Sequence, residues 1–362
     1  MPLLASYAER RRSDASYSRS MGGESMRAFV ITGPRAAEVR TVEVPSPGPG
    51  EVVVEVERVG VCGTDVEFFT GEMAYLATGE AAYPIRIGHE WAGTVAAVGE
   101  GVDPSWLGRR VTGDTMLGCG RCERCSSGRQ HLCANRFEVG IRHGWPGALA
   151  ERLLVPASSL RALPEGMDAS LGALVEPGGN AWRAVDAAAL AAGQRLLVIG
   201  AGTIGLLAAL IARSAAVEVE LIGRSGESVA FARSLGLRAS AVADPLPSRH
   251  FQAVIDASTS ASSPALAIDL VEPGGRVVYI GLAGTPSDVD TRRIVLNDLT
   301  AVGILSASPG LDGAIELFAS GRVDPRPLIA AVVSLDDVSR VLAGEHDPAW
   351  KAGPKIHVDP RG

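Results

Sequence analysis

The hydrophobic and polar positions early in the chain make a strand-like pattern in five valine-rich runs: Met26–Thr32, Val39–Val44, Glu51–Val59, Trp91–Val98 and Ala148–Val155. Short β-branched runs of this kind predict strands. Gly/Pro turns such as Pro45-Ser-Pro-Gly-Pro-Gly50 separate the runs, so residues up to about Val155 read as an irregular all-β unit. Near Ala169–Leu190 an alanine-rich helical pattern takes over. Strand-like and helix-like segments then alternate: Arg195–Ile199, Ile204–Ser214, Glu218–Ile222, Ser228–Leu235, Ala253–Asp256, the segment 264–271 and Gly275–Ile280. Such alternation implies a parallel sheet with helices on both faces. Past Ser308 the pattern turns irregular, and the chain is expected to return to its first domain. The expected division is an N-terminal extension over 1–25, a β-rich domain over 26–178 and 309–362, and an α/β domain over 179–308.

Length supports that division, because single cores seldom grow beyond about 250–300 residues and this chain has 362. Residues 1–25 are polar, rich in Ser and Arg, and lack an apolar signal-peptide centre. They read as a disordered extension ahead of the strand at Met26. Glu9, Asp14 and Glu24 in and around this segment speak against an organelle-import sequence. No apolar run free of Gly, Pro or charge is long enough to cross a bilayer, so a cytoplasmic protein without membrane contact is expected. With 34 Lys and Arg against 41 Asp and Glu, the net charge is -7, and no basic stripe offers itself to nucleic acid.

Four of the five cysteines stand as Cys119-x2-Cys122-x2-Cys125-x7-Cys133. Four thiolates at this spacing can close tetrahedrally on one zinc and leave no position open, which describes a structural site. Disulfides are disfavoured by the absence of a secretory signal, and a nucleic-acid zinc ribbon is disfavoured by the acidic charge. Cys62 stands apart in Cys62-Gly-Thr-Asp65, and Gly88-His89-Glu90 follows it. Two zincs per chain with different roles is the reading these positions support.

The run Leu196–Ile199 leads into Gly200-Ala-Gly202-Thr203-Ile204-Gly205 and then a helical stretch. Between a buried strand and a helix, this G-x-G-x-x-G pattern is a dinucleotide fingerprint: a tight turn, a close backbone approach to pyrophosphate, and close helix–strand packing. The free N–H groups of the helix start then face the phosphates. An NAD site carries an acid at the end of the second strand; here Gly223, Arg224 and Ser225 stand there. A missing acid removes repulsion of a 2′-phosphate, and an arginine with a hydroxyl can grip it, so NADP is expected, with NAD as the alternative.

The ordered set Cys62-Gly-Thr64-Asp, Gly-His89-Glu90, the four-cysteine lobe, Glu176-Pro177 and Gly200-x-Gly202-x-x-Gly205 resembles the zinc-dependent medium-chain alcohol dehydrogenases, from about Met26 to near the C-terminus. Glu-Pro in place of a second cysteine ligand resembles the polyol, sugar and threonine dehydrogenase branch. The resemblance implies an α/β fold: a GroES-like β-rich catalytic domain plus a Rossmann doubly wound parallel-sheet cofactor domain, with the active site in the cleft between them. It implies Cys62 and His89 as catalytic zinc ligands, with Glu90 and Glu176 as nearby carboxylates, either of which ligates directly or through water. Thr64 resembles the hydroxyl that takes the substrate proton. Many relatives end the proton relay at a histidine three residues further on, where this chain has Glu67. The insert Phe68–Pro84, with Phe69, Tyr75 and Tyr83, is either a wall of the substrate pocket or a loop packed on itself. The run Thr300–Leu305 resembles the family's edge strand, which pairs across a twofold axis and implies a homodimer or homotetramer. Expected activity is hydride transfer between a hydroxylated carbon of a small alcohol, polyol or sugar-like substrate and NADP. The alternatives are a zinc-independent enone or quinone reductase on the same fold, and a catalytically silent metal-binding protein.

Overall fold

The computed structural model describes residues 23–246 and 249–362. Most of the expected N-terminal extension, residues 1–22, lies outside the described residues. Nine strands run from Ser25 to Ala162: β1 Ser25–Gly33, β2 Ala36–Glu43, β3 Glu51–Gly60, β4 Glu90–Val98, β5 Arg110–Gly113, β6 Met116–Leu117, β7 Phe137–Glu138, β8 Arg152–Pro156 and β9 Leu160–Ala162. Six follow in the α/β region: β10 Arg195–Ile199, β11 Glu218–Gly223, β12 Arg238–Ala241, β13 Phe251–Asp256, β14 Val271–Tyr279 and β15 Thr300–Gly303. The last two are β16 Ile329–Ser334 and β17 Lys355–Asp359.

Two compact units result. The first comprises residues up to Glu176 with Ile329–Lys351 and Lys355–Gly362; the second is Pro177–Leu328 with Ala352–Pro354. In the first, a seven-stranded sheet has the order β16-β17-β3-β4-β5-β9, with β8 also pairing β3. Val52, Val54, Val56 and Val59 are buried with Phe68, Trp91, Trp145 and Leu153 in one core. The unit depends on the C-terminal β17, which pairs antiparallel with β3 at His357–Gly60 and Val358–Val59.

The second unit holds a parallel six-stranded sheet in the order β12-β11-β10-β13-β14-β15. β10, buried on both faces, reads as a continuous apolar run, Leu196–Ile199, as central parallel strands do. The sequence places the return to the β-rich unit at residue 309, but the structure delays it to Ile329. Residues Leu311–Ala319 form a helix, and its Phe318 packs where Gly178 leaves space. The eye misses this because Ser308-Pro-Gly310 breaks the pattern just ahead of it. Similarly, the helical stretch at 169–190 is two helices, Ala169–Ala173 and Val175–Ala188.

Candidate active site and cofactor turn

Cys62 caps the helix Gly63–Thr70. Its backbone N–H donates to Asp65 Oδ2 at 2.9 Å, and the Gly88 N–H donates to Asp65 Oδ1 at 3.2 Å. One buried carboxylate therefore ties together the two segments that carry Cys62 and His89. His89 Nδ1 lies 3.7 Å from Asp65 Oδ1, the arrangement in which a carboxylate orients a ligating imidazole. Asp65 is the functional residue that sequence reasoning passed over; its signal was there, since Cys62-x-x-Asp65 has the spacing of a capping box.

Ligand atoms of Cys62, His89 and Glu90 all lie within 4.8 Å of one another. Burial alone would drive the His89 pKa down, yet Asp65, Cys62 and Glu176 outweigh it and hold it well above its usual value. The ring hydrogen-bonds the Cys62 thiol, while its buried Nδ1 has no hydrogen-bond partner. A pocket this rich in anionic groups, with a proton shared between thiol and imidazole, fits a divalent cation of the borderline-soft kind. Glu176 stands outside the 4.8 Å set and acts on His89 through its charge.

Glu90 is not a free carboxylate. Lys355 Nζ donates to Glu90 Oε1 at 2.9 Å, to Oε2 at 2.7 Å and to the Val61 carbonyl at 2.9 Å. Both side chains are buried, and a Cβ at Gly60 would come within 2.1 Å of Glu90 Oε2. No local pattern announces Lys355, which is 265 residues from Glu90; only the pairing of β17 on β3 brings it there.

Thr64 and Glu67 lie three apart on the helix Gly63–Thr70, and thus on one face. Burial, then the neighbouring Glu72, holds the Glu67 carboxyl above its ordinary pKa. In the insert, Tyr83 Oη donates to the Phe68 carbonyl at 2.5 Å, and the Arg142 guanidinium lies 5.4 Å over the Tyr75 ring. Both tyrosines pack against the core of their own unit.

The cysteine lobe is closed at its base by β6 and β7, paired at Met116–Glu138 and Leu117–Phe137. Its sulfurs stand at 3.5 Å (Cys122–Cys125), 3.8 Å (Cys122–Cys133) and 4.0 Å (Cys119–Cys125). A zinc with bonds of about 2.3 Å demands sulfur–sulfur edges of about 3.8 Å. Backbone N–H groups, that of Arg121 foremost, pull Cys119 down to about 6, whereas burial pushes Cys125 up to about 12. Four thiolates can coexist here only around a cation.

In the second unit the Gly turn follows β10. Gly200 has φ +108°, and a Cβ there would lie 2.9 Å from the Ala257 carbonyl oxygen. A Cβ at Gly205 would fall 1.8 Å from the Gly200 oxygen, while one at Gly202 meets nothing within 4 Å. Gly202 is thus the open approach, and the helix Thr203–Ser214 begins there with no side-chain cap, leaving first-turn N–H groups of Thr203, Ile204 and Gly205 for phosphate. β10 and β13 are neighbours at the point where strand order reverses, the place where such sheets bind ligands. At the end of β11, a Cβ on Gly223 would meet Ser228 Oγ at 2.9 Å and Val229 Cγ2 at 3.1 Å, so an acid there would have to push its neighbours aside. Ser225 caps the helix Gly226–Ser234 by accepting from the Ser228 N–H at 3.2 Å. Arg224 is exposed and makes no ion pair among the described residues.

The family profile for the alcohol dehydrogenase GroES-like domain matches residues 48–165, and that for zinc-binding dehydrogenases matches residues 203–320. A 2-dehydro-3-deoxy-L-galactonate 5-dehydrogenase of Pseudoalteromonas atlantica is 32% identical over 82% of this chain and 89% of its own. The chain belongs to the zinc-dependent medium-chain alcohol dehydrogenases. An L-threonine 3-dehydrogenase of Saccharopolyspora erythraea is 35% identical, covering 77% of this chain and 83% of its own. A solved chain from Sinorhizobium meliloti 1021, bound to NADP, is 30% identical with a TM-score of 0.82, covering 93% of this dehydrogenase and all of that chain. The protein is accordingly an oxidoreductase with a GroES-like unit and a Rossmann unit, and among its described residues no helix is long and apolar enough to cross a membrane.

Proposed function

We propose that the enzyme oxidises, reversibly, a secondary hydroxyl of a small polyol, sugar-like or hydroxy-acid substrate with NADP, acting in the cytoplasm as a homo-oligomer. The observation that carries this reading is the buried convergence of Cys62, His89 and a carboxylate within 4.8 Å, on the same chain as a Gly200–Gly205 turn. Zinc supplies a Lewis acid for the substrate oxygen, and NADP supplies the hydride acceptor. Cys62 and His89 hold the metal, Glu90 or Glu176 completes the shell, and Asp65 sets the imidazole. Cys119, Cys122, Cys125 and Cys133 hold a second zinc that shapes the lobe. Thr64 takes the proton of the substrate hydroxyl and passes it along its helix face to Glu67, whose carboxyl burial holds above its ordinary pKa. Gly223 and Arg224 favour the 2′-phosphate. The relatives that act on a galactonate derivative and on threonine support a substrate with several polar groups around the reacting carbon.

The test is a panel of polyols, sugar acids and hydroxy amino acids with each cofactor, read by nicotinamide absorbance before and after chelation of the labile zinc. Turnover should fall with the labile metal and return on adding zinc, Thr64→Val should lower turnover at unchanged zinc content, and Glu67→Gln should shift the pH–rate profile. Turnover that survives loss of the labile metal would sink the reading in favour of a zinc-independent reductase.

A further inference from the structure

Asp256 ends β13 and is buried, yet it belongs to neither the metal sites nor the Gly turn. Its carboxylate is the centre of a small network. Oδ1 accepts from the Ser258 N–H at 3.0 Å, and Oδ2 accepts from Ser263 Oγ at 2.7 Å. Ser258 Oγ donates to Ser263 Oγ at 2.7 Å, and the Ser260 N–H donates to Ser258 Oγ at 3.2 Å. The backbone oxygen of Asp256 accepts from both Ile280 and Gly281. One residue therefore joins the end of β14 to the loop Ala257–Ser262.

That loop abuts the cofactor turn. Asp256 pairs with Ile199 in the sheet register, and the Ala257 N–H donates to the Ile199 carbonyl at 2.9 Å. The space that a Cβ at Gly200 would need is filled by the Ala257 carbonyl and the Ser258 nitrogen, at 2.9–3.1 Å. The loop also has a fixed back wall, because a Cβ at Gly281 would lie 1.9 Å from the Ser258 oxygen. Between these two constraints its front carries the exposed residues Thr259, Ser260 and Ser262, at the carboxyl end of the strand beside the reversal of strand order, where a dinucleotide lies. Burial raises the Asp256 carboxyl pKa, and the Ser263 and Ser258 donors oppose that rise without cancelling it.

Resting on the reading that this unit binds a nicotinamide dinucleotide, we propose that Asp256 is a positioning residue for the cofactor: through Ser258 and Ser263 it fixes the loop Ala257–Ser262 against the Gly200 turn and so sets dinucleotide affinity. The geometry distinguishes two substitutions. Asparagine can still accept from the Ser258 N–H and donate to Ser263 Oγ, whose proton then goes to the Ser260 carbonyl at 2.8 Å. Alanine leaves the Ser258 N–H without its acceptor and Ser263 Oγ bonded to the Ser260 carbonyl alone, and the loop can drift.

The experiment titrates NADPH by fluorescence on the full-length protein, with melting temperature, zinc content and steady-state kinetics measured beside it. Asp256→Ala should raise the NADPH Kd at least about tenfold, the loss of one hydrogen bond to a charged group. Asp256→Asn should stay within about threefold, since it remakes the bonds. Cofactor KM should rise with Kd, while zinc content and kcat at saturating cofactor hold. A purely structural role predicts instead a lower melting temperature with Kd and KM unchanged, and that result overturns the proposal. Should Asp256→Ala not fold, the double variant Ser258→Ala/Ser263→Ala takes its place, with the same tenfold expectation and the same overturning result. Wild-type protein that binds neither NADPH nor NADH overturns the cofactor reading itself. Normal wild-type binding with unaffected variants overturns only the role of Asp256.

Discussion

Asp65 shows how a single side chain can make a metal site before any metal arrives. It accepts backbone bonds from Cys62 and Gly88, so it fixes two chain segments at once, and its charge lies 3.7 Å from His89 Nδ1. Replacing it with asparagine keeps the volume and one acceptor but removes the charge that draws on the imidazole. Supporting carboxylates of this kind change metal affinity by about 10–100-fold, and Asp65→Asn should weaken labile zinc binding within that range. A chelator competition assay checks it, with the cysteine-lobe zinc as an internal control that should not move. Affinity equal to wild type would reduce Asp65 to a helix cap. The convergence of Cys62 and His89 was legible, because both sit in short motifs. Lys355 was not, because a long-range ion pair to Glu90 leaves no trace in local pattern. It also changes what Glu90 can do, since a carboxylate held on both oxygens by an ammonium must give up that partner before it ligates a metal.

At the level of elements, the end of β11 shapes the surroundings of the proposed cofactor site. β11 was read correctly as a strand whose last residue is glycine, and the structure adds why an acid is kept out: Ser228 and Val229 crowd the place of a Cβ. The Ser225 hydroxyl caps the helix that follows, and the role proposed for Arg224 at a 2′-phosphate can be tested separately. Arg224→Ala should therefore weaken NADP binding at least about tenfold and leave NAD binding nearly unchanged, given about 1.5–3 kcal/mol per charge-assisted bond. Calorimetric titration with both cofactors decides it, and equal losses would show that Arg224 stacks on or screens something common to both. β17 carries a different consequence. His357 is fully buried, neither ring nitrogen has a partner, and burial, then Lys355 and Arg58, push its pKa down to about 3. An unfolded histidine titrates near 6.5, so the unfolded chain binds the extra proton between those values. Stability that is complete above about pH 6.5 is then lost as the pH falls, by about 2 kcal/mol at pH 5 from this one group. His357→Leu should flatten that slope in denaturant melts run at several pH values; parallel slopes for both proteins would count against it.

For the whole molecule, a β-rich and a parallel-sheet part were legible because valine-rich runs between Gly/Pro turns give way to alternating strand-like and helix-like segments. The late return at Ile329 was not, since a helix behind Ser308-Pro-Gly310 looks like irregular chain until its packing is seen. The sheet of the second unit also ends in a way that bears on assembly. β15 is its last strand, so Thr300–Gly303 present backbone groups on a side where no strand among the described residues pairs. The helix Thr291–Leu296, which leads into β15, turns Ile294 toward the core but leaves Val295 and Leu296 77% and 84% exposed. Single exposed apolar residues are ordinary, but two in succession on the helix that leads into an open edge strand invite another chain. The occupant we propose is a second copy pairing β15 with β15, an isologous contact that closes and so avoids open-ended aggregation. Each of these side chains, if covered, contributes about 1.5–3 kcal/mol, so charging two of them should dominate the association. Val295→Glu combined with Leu296→Arg should convert a wild-type dimer or tetramer at micromolar concentration into a smaller species by sedimentation velocity, with the melting of the monomer little changed because both positions face water. A wild-type protein that sediments as a monomer, or a double variant with unchanged assembly, would place the contact elsewhere.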